Sequence, residues 1–246
     1  MDIVSPIFIN MFALILVLFL AQNALGNGVG NVDCEQRSYS VCSPGRRGAT
    51  FPGSEDDLNT VCPEIIEYAE CLNTYDEVCA TKEEDVREFK PGQYVKIREL
   101  LADICNNNSL LHKVLSENMR CIKESIDGAG DECAQKRYLF RKTYMSQREV
   151  DEESASFEEL VNLHCLLPYQ MMSCVIGDIS RRCGDMAKSA VIEVAFRANI
   201  LQSDRCPAEH FSGMVGIVND LELPAEQKEE ILHLISSYSA YSSERK

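Results

Sequence analysis

The chain has 246 residues, 45% of them hydrophobic, with 24 basic against 39 acidic side chains and a formal net charge of −15. That length suffices for one large domain or two small ones. The acidic balance argues against binding nucleic acid or an anionic membrane surface, both of which require basic patches, and the absence of Trp speaks against a carbohydrate-stacking platform.

Residues 7–20 are almost wholly apolar, a length that fits a signal-peptide core better than a membrane span of about 20 residues. Ala24 and Gly26 suit the two small positions of a cleavage site, which places the cut after Gly26. This leader, residues 1–26, carries no Lys or Arg, and an uncleaved anchor is the competing reading. No later segment reads as long and apolar enough to span a bilayer. A secreted, extracellular mature chain with no membrane contact after signal cleavage is therefore expected.

All 12 cysteines lie beyond the leader: Cys34, Cys42, Cys62, Cys71, Cys79, Cys105, Cys121, Cys133, Cys165, Cys174, Cys183 and Cys206. An even number in an oxidising compartment predicts that all are disulfide-bonded. Neither the close cysteine pairs of a zinc site nor a redox C-x-x-C occurs, so no metal and no cofactor are expected. The sequence leaves the pairing open.

Residues 27–53 are rich in Gly, Ser, Pro and Asn and read as an extended lead segment, closed into a small loop by Cys34 and Cys42. Here Gly45 precedes Arg46-Arg47, the pattern of a prohormone cleavage and amidation site. The plainer reading is an exposed loop with two charges. From Ser54 to Leu72 a helix is predicted, with Leu58, Val61, Cys62, Ile65, Ile66 and Ala69 on one face. Pro91-Gly92 breaks the chain. "QYVKIRELLADIC" is a short amphipathic helix ending at Cys105. "NNNS" caps the next helix and contains an N-glycosylation sequon at Asn107, which reads equally well as a plain polar cap. "DGAGDEC" reads as a turn, followed by the basic helix "ECAQKRYLFRKTYM". Residues 146–155 form a polar, acidic linker.

Ser156 with Glu159 is a capping box, so a helix starts there. Along it Cys165, Cys174 and Cys183 recur every nine residues. Nine residues turn a helix by about 900°, half a turn from the start, and advance it about 13 Å. Neighbours in this triplet cannot bond each other, and each must reach a different element. Pro168 kinks this helix or marks a first turn. Two last helices follow, each opened by Pro: Pro207 and Pro224. Met171, Met172, Met186 and Met214 line an adaptable pocket or simply fill the core.

The triplet has an earlier echo. Ser54, two acids and Leu58 precede Cys62, Cys71 and Cys79. Each triplet is followed by a fourth cysteine, Cys105 and Cys206. This is the pattern of an internal duplication, with Cys121 and Cys133 lacking a counterpart and Cys34 and Cys42 preceding the first copy. The predicted fold is all-α, a disulfide-stapled helical stack of seven to nine helices. Its organisation is a lead segment 27–53, a first unit 54–145, a linker 146–155 and a second unit 156–246.

Catalytic patterns are missing. His112, His164, His210 and His233 are scattered, and His164 beside Cys165 has no Asp following it to complete a dyad. Gly-x-Ser-x-Gly, P-loop and dinucleotide fingerprints are absent. The chain is not expected to be an enzyme.

The run C-x8-C-x8-C-G with a further Cys downstream (Cys165, Cys174, Cys183, Gly184, Cys206) resembles that of arthropod secreted cysteine-rich helical proteins. Cys105, Cys121 and Cys133 match the same group more loosely. The resemblance rests on the cysteine frame after Cys62. It implies a helical fold and a place in a body fluid or glandular secretion, venom included, and assigns no activity. Insect odorant-binding proteins are similar in their helices and C-x8-C, but their C-x3-C is not present here. The expected function is binding to an extracellular protein partner. A carrier of a small hydrophobic ligand and a peptide precursor cleaved at Arg46-Arg47 are the alternatives.

Overall fold

The structure, a computed structural model, describes residues 34–36, 38–42, 51–79, 93–150, 155–199, 201, 206 and 211–243. The expected leader, the Arg46-Arg47 site and the Pro91-Gly92 break lie outside these residues. The described residues form eight helices and no strand. None of the cysteines is free. The chain divides into two compact units, 1–123 with 197–199 and 124–196 with 200–246.

The first unit holds α1 (Ser38–Cys42), α2 (Glu55–Val78), α3 (Gln93–Ile104) and the first turns of α4 (Leu110–Gln147). Helix α2 begins at Ser54 because its Oγ accepts the Asp57 N–H at 3.1 Å. Glu55, Asp56 and Asp57 then place negative charge at the positive end of the helix dipole. The helix continues past the expected end at Leu72. Tyr75 is fully buried and its hydroxyl donates to the Gln36 carbonyl at 2.7 Å, tying the last turns to the lead segment.

This tie explains a corrected pairing. Cys34 and Cys42 do not bond each other; Cys34 bonds Cys79 and Cys42 bonds Cys71. Residues 34–36 and 38–42 run antiparallel along the last turns of α2, and the eight-residue spacing of Cys34 and Cys42 matches that of Cys71 and Cys79. Two staples then close in register where one local loop would have left α2 unattached. The third staple, Cys62–Cys105, joins α2 to the residue just after α3. Helix α3 buries Ile97, Leu100, Leu101 and Ile104 at helical spacing.

Ser109 caps α4. Its Oγ accepts the His112 N–H at 2.9 Å and donates to the Asp103 carbonyl at 2.6 Å. His112 is buried with Nδ1 2.7 Å from the Ile104 carbonyl, which fixes the proton on Nδ1 because the carbonyl can only accept.

Helix α4 runs unbroken through residues 127–133, where the sequence predicts a turn. Gly128 and Gly130 each cost a helix about 1 kcal/mol relative to Ala. Against that stand the buried side chains of Ile122, Ser125, Ala129, Cys133, Phe140 and Tyr144, one stripe at helical spacing. Breaking the helix would throw this stripe out of phase. It ends instead at Gln147, two residues before Glu149, whose φ of 52° is left-handed. There the Val150 N–H reaches the Met145 carbonyl at 2.9 Å, and Val150 is buried. The two units accordingly divide between Lys123 and Glu124, inside α4, and not at the acidic stretch 146–155.

The second unit holds the rest of α4, then α5 (Phe157–Cys183), α6 (Asp185–Arg197), α7 (Phe211–Asp220) and α8 (Ala225–Ser243). The capping box at Ser156 and Glu159 is formed in both directions. Pro168 sits in the interior of α5 and does not divide it. An interior Pro costs about 3 kcal/mol. The offset is burial on every side: 16 residues of α5 between Val161 and Ile179 are buried. Helices α4 and α5 run antiparallel, joined by Cys133–Cys174 and by the Tyr144 hydroxyl donating to the Glu159 carbonyl at 3.1 Å. Cys165 bonds Cys206, so the two sides of α5 are pinned to different elements, as the half-turn geometry requires. Tyr169 packs edge-on against Phe211 and Tyr238, with centroids 6.4 and 6.2 Å away, and Phe196 meets Tyr238 at 5.1 Å.

By length and composition α5 is able to cross a bilayer, with hydropathy 1.3 over its most apolar window. This corrects the expectation that no segment after the leader qualifies. In the fold 67% of that window is buried, the position of a core helix.

Candidate functional site

The cysteines expected as site residues are all structural. In order along the chain, the first six pair first with fifth, second with fourth and third with sixth. In the last six, second pairs with fourth, Cys133–Cys174, and third with sixth, Cys165–Cys206. Cys121 and Cys183 occupy places one and five of that series and are both disulfide-bonded. Cys133 therefore does have a counterpart, Cys42, which the sequence alone leaves unmatched. Among the described residues no group of His, Cys, Asp and Glu is placed to hold a metal.

Within the second unit, α5, α6 and α8 enclose an open cleft of about 230 Å³. Ser173, Ile176 and Gly177 come from α5, Lys188 and Ile192 from α6, Glu230, His233 and Leu234 from α8. Gly177 has a specific reason to lack a side chain. A Cβ there would stand 2.5 Å from Glu230 Oε1, so the carboxyl occupies the place a methyl would take. Burial pushes the Glu230 carboxyl above its ordinary range, and the neighbouring Glu226 adds to the shift. Arg181, at the mouth, is drawn to Asp178 at 3.4 Å and Glu226 at 4.0 Å. Arg182 holds Asp178 from its other oxygen at 2.9 Å. Both arginines lie in the last turn of α5, where the helix dipole favours them.

The cleft presents the carboxyls of Glu226, Glu229 and Glu230 with Lys188, Arg181 and His233, beside the apolar Ile176, Ile192 and Leu234. Its two hydroxyls are committed elsewhere: Ser173 Oγ donates to the Gln170 carbonyl at 2.9 Å and Ser180 Oγ to Asp185 at 3.3 Å. Neither is held by His233 as a nucleophile would be. The arrangement suits holding a small polar molecule. Deeper in α5, Tyr169 and Gln170 are fully buried, and neither the Tyr169 hydroxyl nor either end of the Gln170 amide has a hydrogen-bond partner among the described residues. Burial raises the Tyr169 hydroxyl far above the ordinary tyrosine range and pushes Tyr238 up to about 12.

The methionines separate. Met171, Met172 and Met214 are buried, and Met186 is exposed and fills no core. None of them lines the cleft between α5, α6 and α8. Asn107 is exposed in the turn after Cys105, and the Ser109 of its sequon is the cap of α4. Among the described residues the most exposed large apolar side chains are Phe157, Leu110 and Tyr138, with Met186, Val78, Leu139, Leu160 and Val95 behind them.

Sequence reasoning finds the basic helix around Lys136 but not which of its side chains face outward. It also misses the cleft, since Gly177 and Glu230 are distant in the chain and each alone carries no signal. Compared with known protein families, curated proteins and solved structures, the chain matches none.

Proposed function

We propose that this is a secreted, non-enzymatic, disulfide-stapled helical protein that acts by binding a protein partner in a body fluid or secretion, a venom being one such setting. The cysteines point to an oxidising, extracellular compartment, where disulfides persist. The observation that carries the binding reading is a set of large apolar side chains held in water on stapled helices. Phe157 is 82% exposed and Tyr138 66%, each on a helix pinned by a disulfide and a cap. Exposed aromatics on a rigid frame are preorganised for contact and lose little entropy on docking. A glycan at Asn107 is consistent with this setting.

Native mass spectrometry of the protein as its own cells secrete it tests the reading. A complex with a second polypeptide, lost after reduction and alkylation, is the expected result. A second reading, the carrier of a small ligand, is favoured by the cleft beside Glu230 and Lys188. It predicts a small co-purifying mass in place of a polypeptide.

A further inference from the structure

We infer that the outward face of α4 between Lys136 and Arg148 is a docking surface for an acidic segment of a partner protein, an inference that rests on the protein-binding reading above. In a chain of 39 acidic and 24 basic residues, positions 136–148 hold Lys136, Arg137, Arg141, Lys142 and Arg148 and no acid at all.

The fold decides which of these side chains face out. Cys133, Phe140 and Tyr144 point inward, locked by the Cys133–Cys174 staple and by the hydrogen bond from Tyr144 to Glu159. At 100° per residue, Tyr138 and Lys142 then lie on the far side, with Leu139 and Arg141 on its flanks. Tyr138 is 66% exposed and Leu139 51%. The helix cannot roll to bury them without breaking the staple. Lys136 is engaged by Glu132 at 2.7 Å, and Arg148 lies 5.8 Å from the centroid of the Tyr144 ring. Lys142 makes no ion pair among the described residues. One turn before Tyr138 the same face carries the uncharged Gln135, and its next acid, the exposed Asp131, stands two turns away.

An aromatic and a leucine beside Lys142 and the flanking Arg141 fit a segment that offers carboxylates around an apolar residue. An anionic bilayer fits less well. It would lie under much of a chain whose net charge is −15 and repel the remainder, whereas a segment touches only this strip. At physiological salt, charges further than about 8 Å away are largely screened from such a contact.

The test uses the full, disulfide-intact chain and a labelled short peptide of Asp, Glu and Leu. A peptide with Lys in place of the acids and phosphatidylserine-rich vesicles serve as controls. Binding of the acidic peptide alone is expected, weakening with added salt and falling about tenfold in both Lys142→Glu and Tyr138→Ser. Both side chains are exposed, so circular dichroism should report an unchanged fold. Binding indifferent to peptide charge, unaffected by the variants, or stronger to vesicles overturns the inference. So does a dimer of the free protein that dissociates in Lys142→Glu, since a second copy would then own the face. If a native partner is still retained by the double variant, the protein-binding reading stands and this face is the wrong one. If the wild-type chain retains no partner, that reading fails, whatever the peptide shows.

Discussion

The two units share a wiring plan and differ in what the plan holds. In both, a Ser-capped helix carries three cysteines, and its first cysteine bonds one that follows 43 or 41 residues later. In both, the second cysteine bonds back to an element lying before the helix. The difference is that element. In the first unit it is the five-residue helix α1; in the second it is the part of the long helix α4 from Glu124 to Gln147. The central helices answer to this. Helix α2 buries one face and leaves the other in water, while α5 is buried nearly all round. A constant disulfide frame thus tolerates either a strap or a long helix as its back wall, and only the long helix lets the central one become a true core.

The staples give the largest expected effect. Replacing Cys62 and Cys105 with Ala, or Cys165 and Cys206, removes loops of nearly equal length and should cost about 3–4 kcal/mol in each unit. Urea unfolding of the two variants reads this directly. A loss confined to one unit would show that the other staple is decorative and that the shared wiring is not shared energetics.

Next comes the buried amide of α5, which α2 lacks. Gln170→Met keeps the shape and removes two polar atoms without partners, so the melting temperature should rise, by an equivalent of about 1–3 kcal/mol. A fall would mean that the amide has a partner after all, and would favour the carrier reading.

The continuity of α4 is tested by its glycines. Gly128→Ala and Gly130→Ala meet no atom within 4 Å and should each stabilise by up to about 1 kcal/mol. Gly184→Ala, at φ 85°, should destabilise. If the two α4 variants behave like Gly184→Ala, residues 127–133 form a turn and the second unit loses its distinguishing wall.

The smallest effect is in pH. The Glu230 carboxyl is raised by burial, so its contribution favours the fold in acid and is lost as pH rises from the ordinary carboxylate value through the raised one. Glu159 runs the other way. Hydrogen bonds from Ser156 lower it, and its contribution is present above the ordinary value and lost as pH falls through the lowered one. Glu230→Gln should remove the first dependence and Glu159→Gln the second, read as melting temperature against pH. Identical profiles for the two variants would contradict the assignment.

Much of this is legible in the sequence. Ser54 and Ser156 announce their helices through the acids that follow. The half-turn spacing of Cys165 and Cys174 forbids local pairing. What misleads is local resemblance. Asp127-Gly-Ala-Gly-Asp131 has turn composition, yet the stripe from Ile122 to Tyr144 keeps it helical. Cys34 and Cys42 are near in sequence, yet each bonds its own partner on the last turns of α2. The exposure of Tyr138 and the meeting of Gly177 with Glu230 depend on which face the staples lock inward, and no sequence window contains that.

The measurement that goes most directly to the repeated frame is disulfide mapping of the unreduced protein by proteolysis and mass spectrometry. The account predicts peptides linked through Cys34–Cys79, Cys42–Cys71, Cys62–Cys105, Cys133–Cys174 and Cys165–Cys206, with no free thiol. A Cys34–Cys42 link, or a different order in the two units, would contradict it.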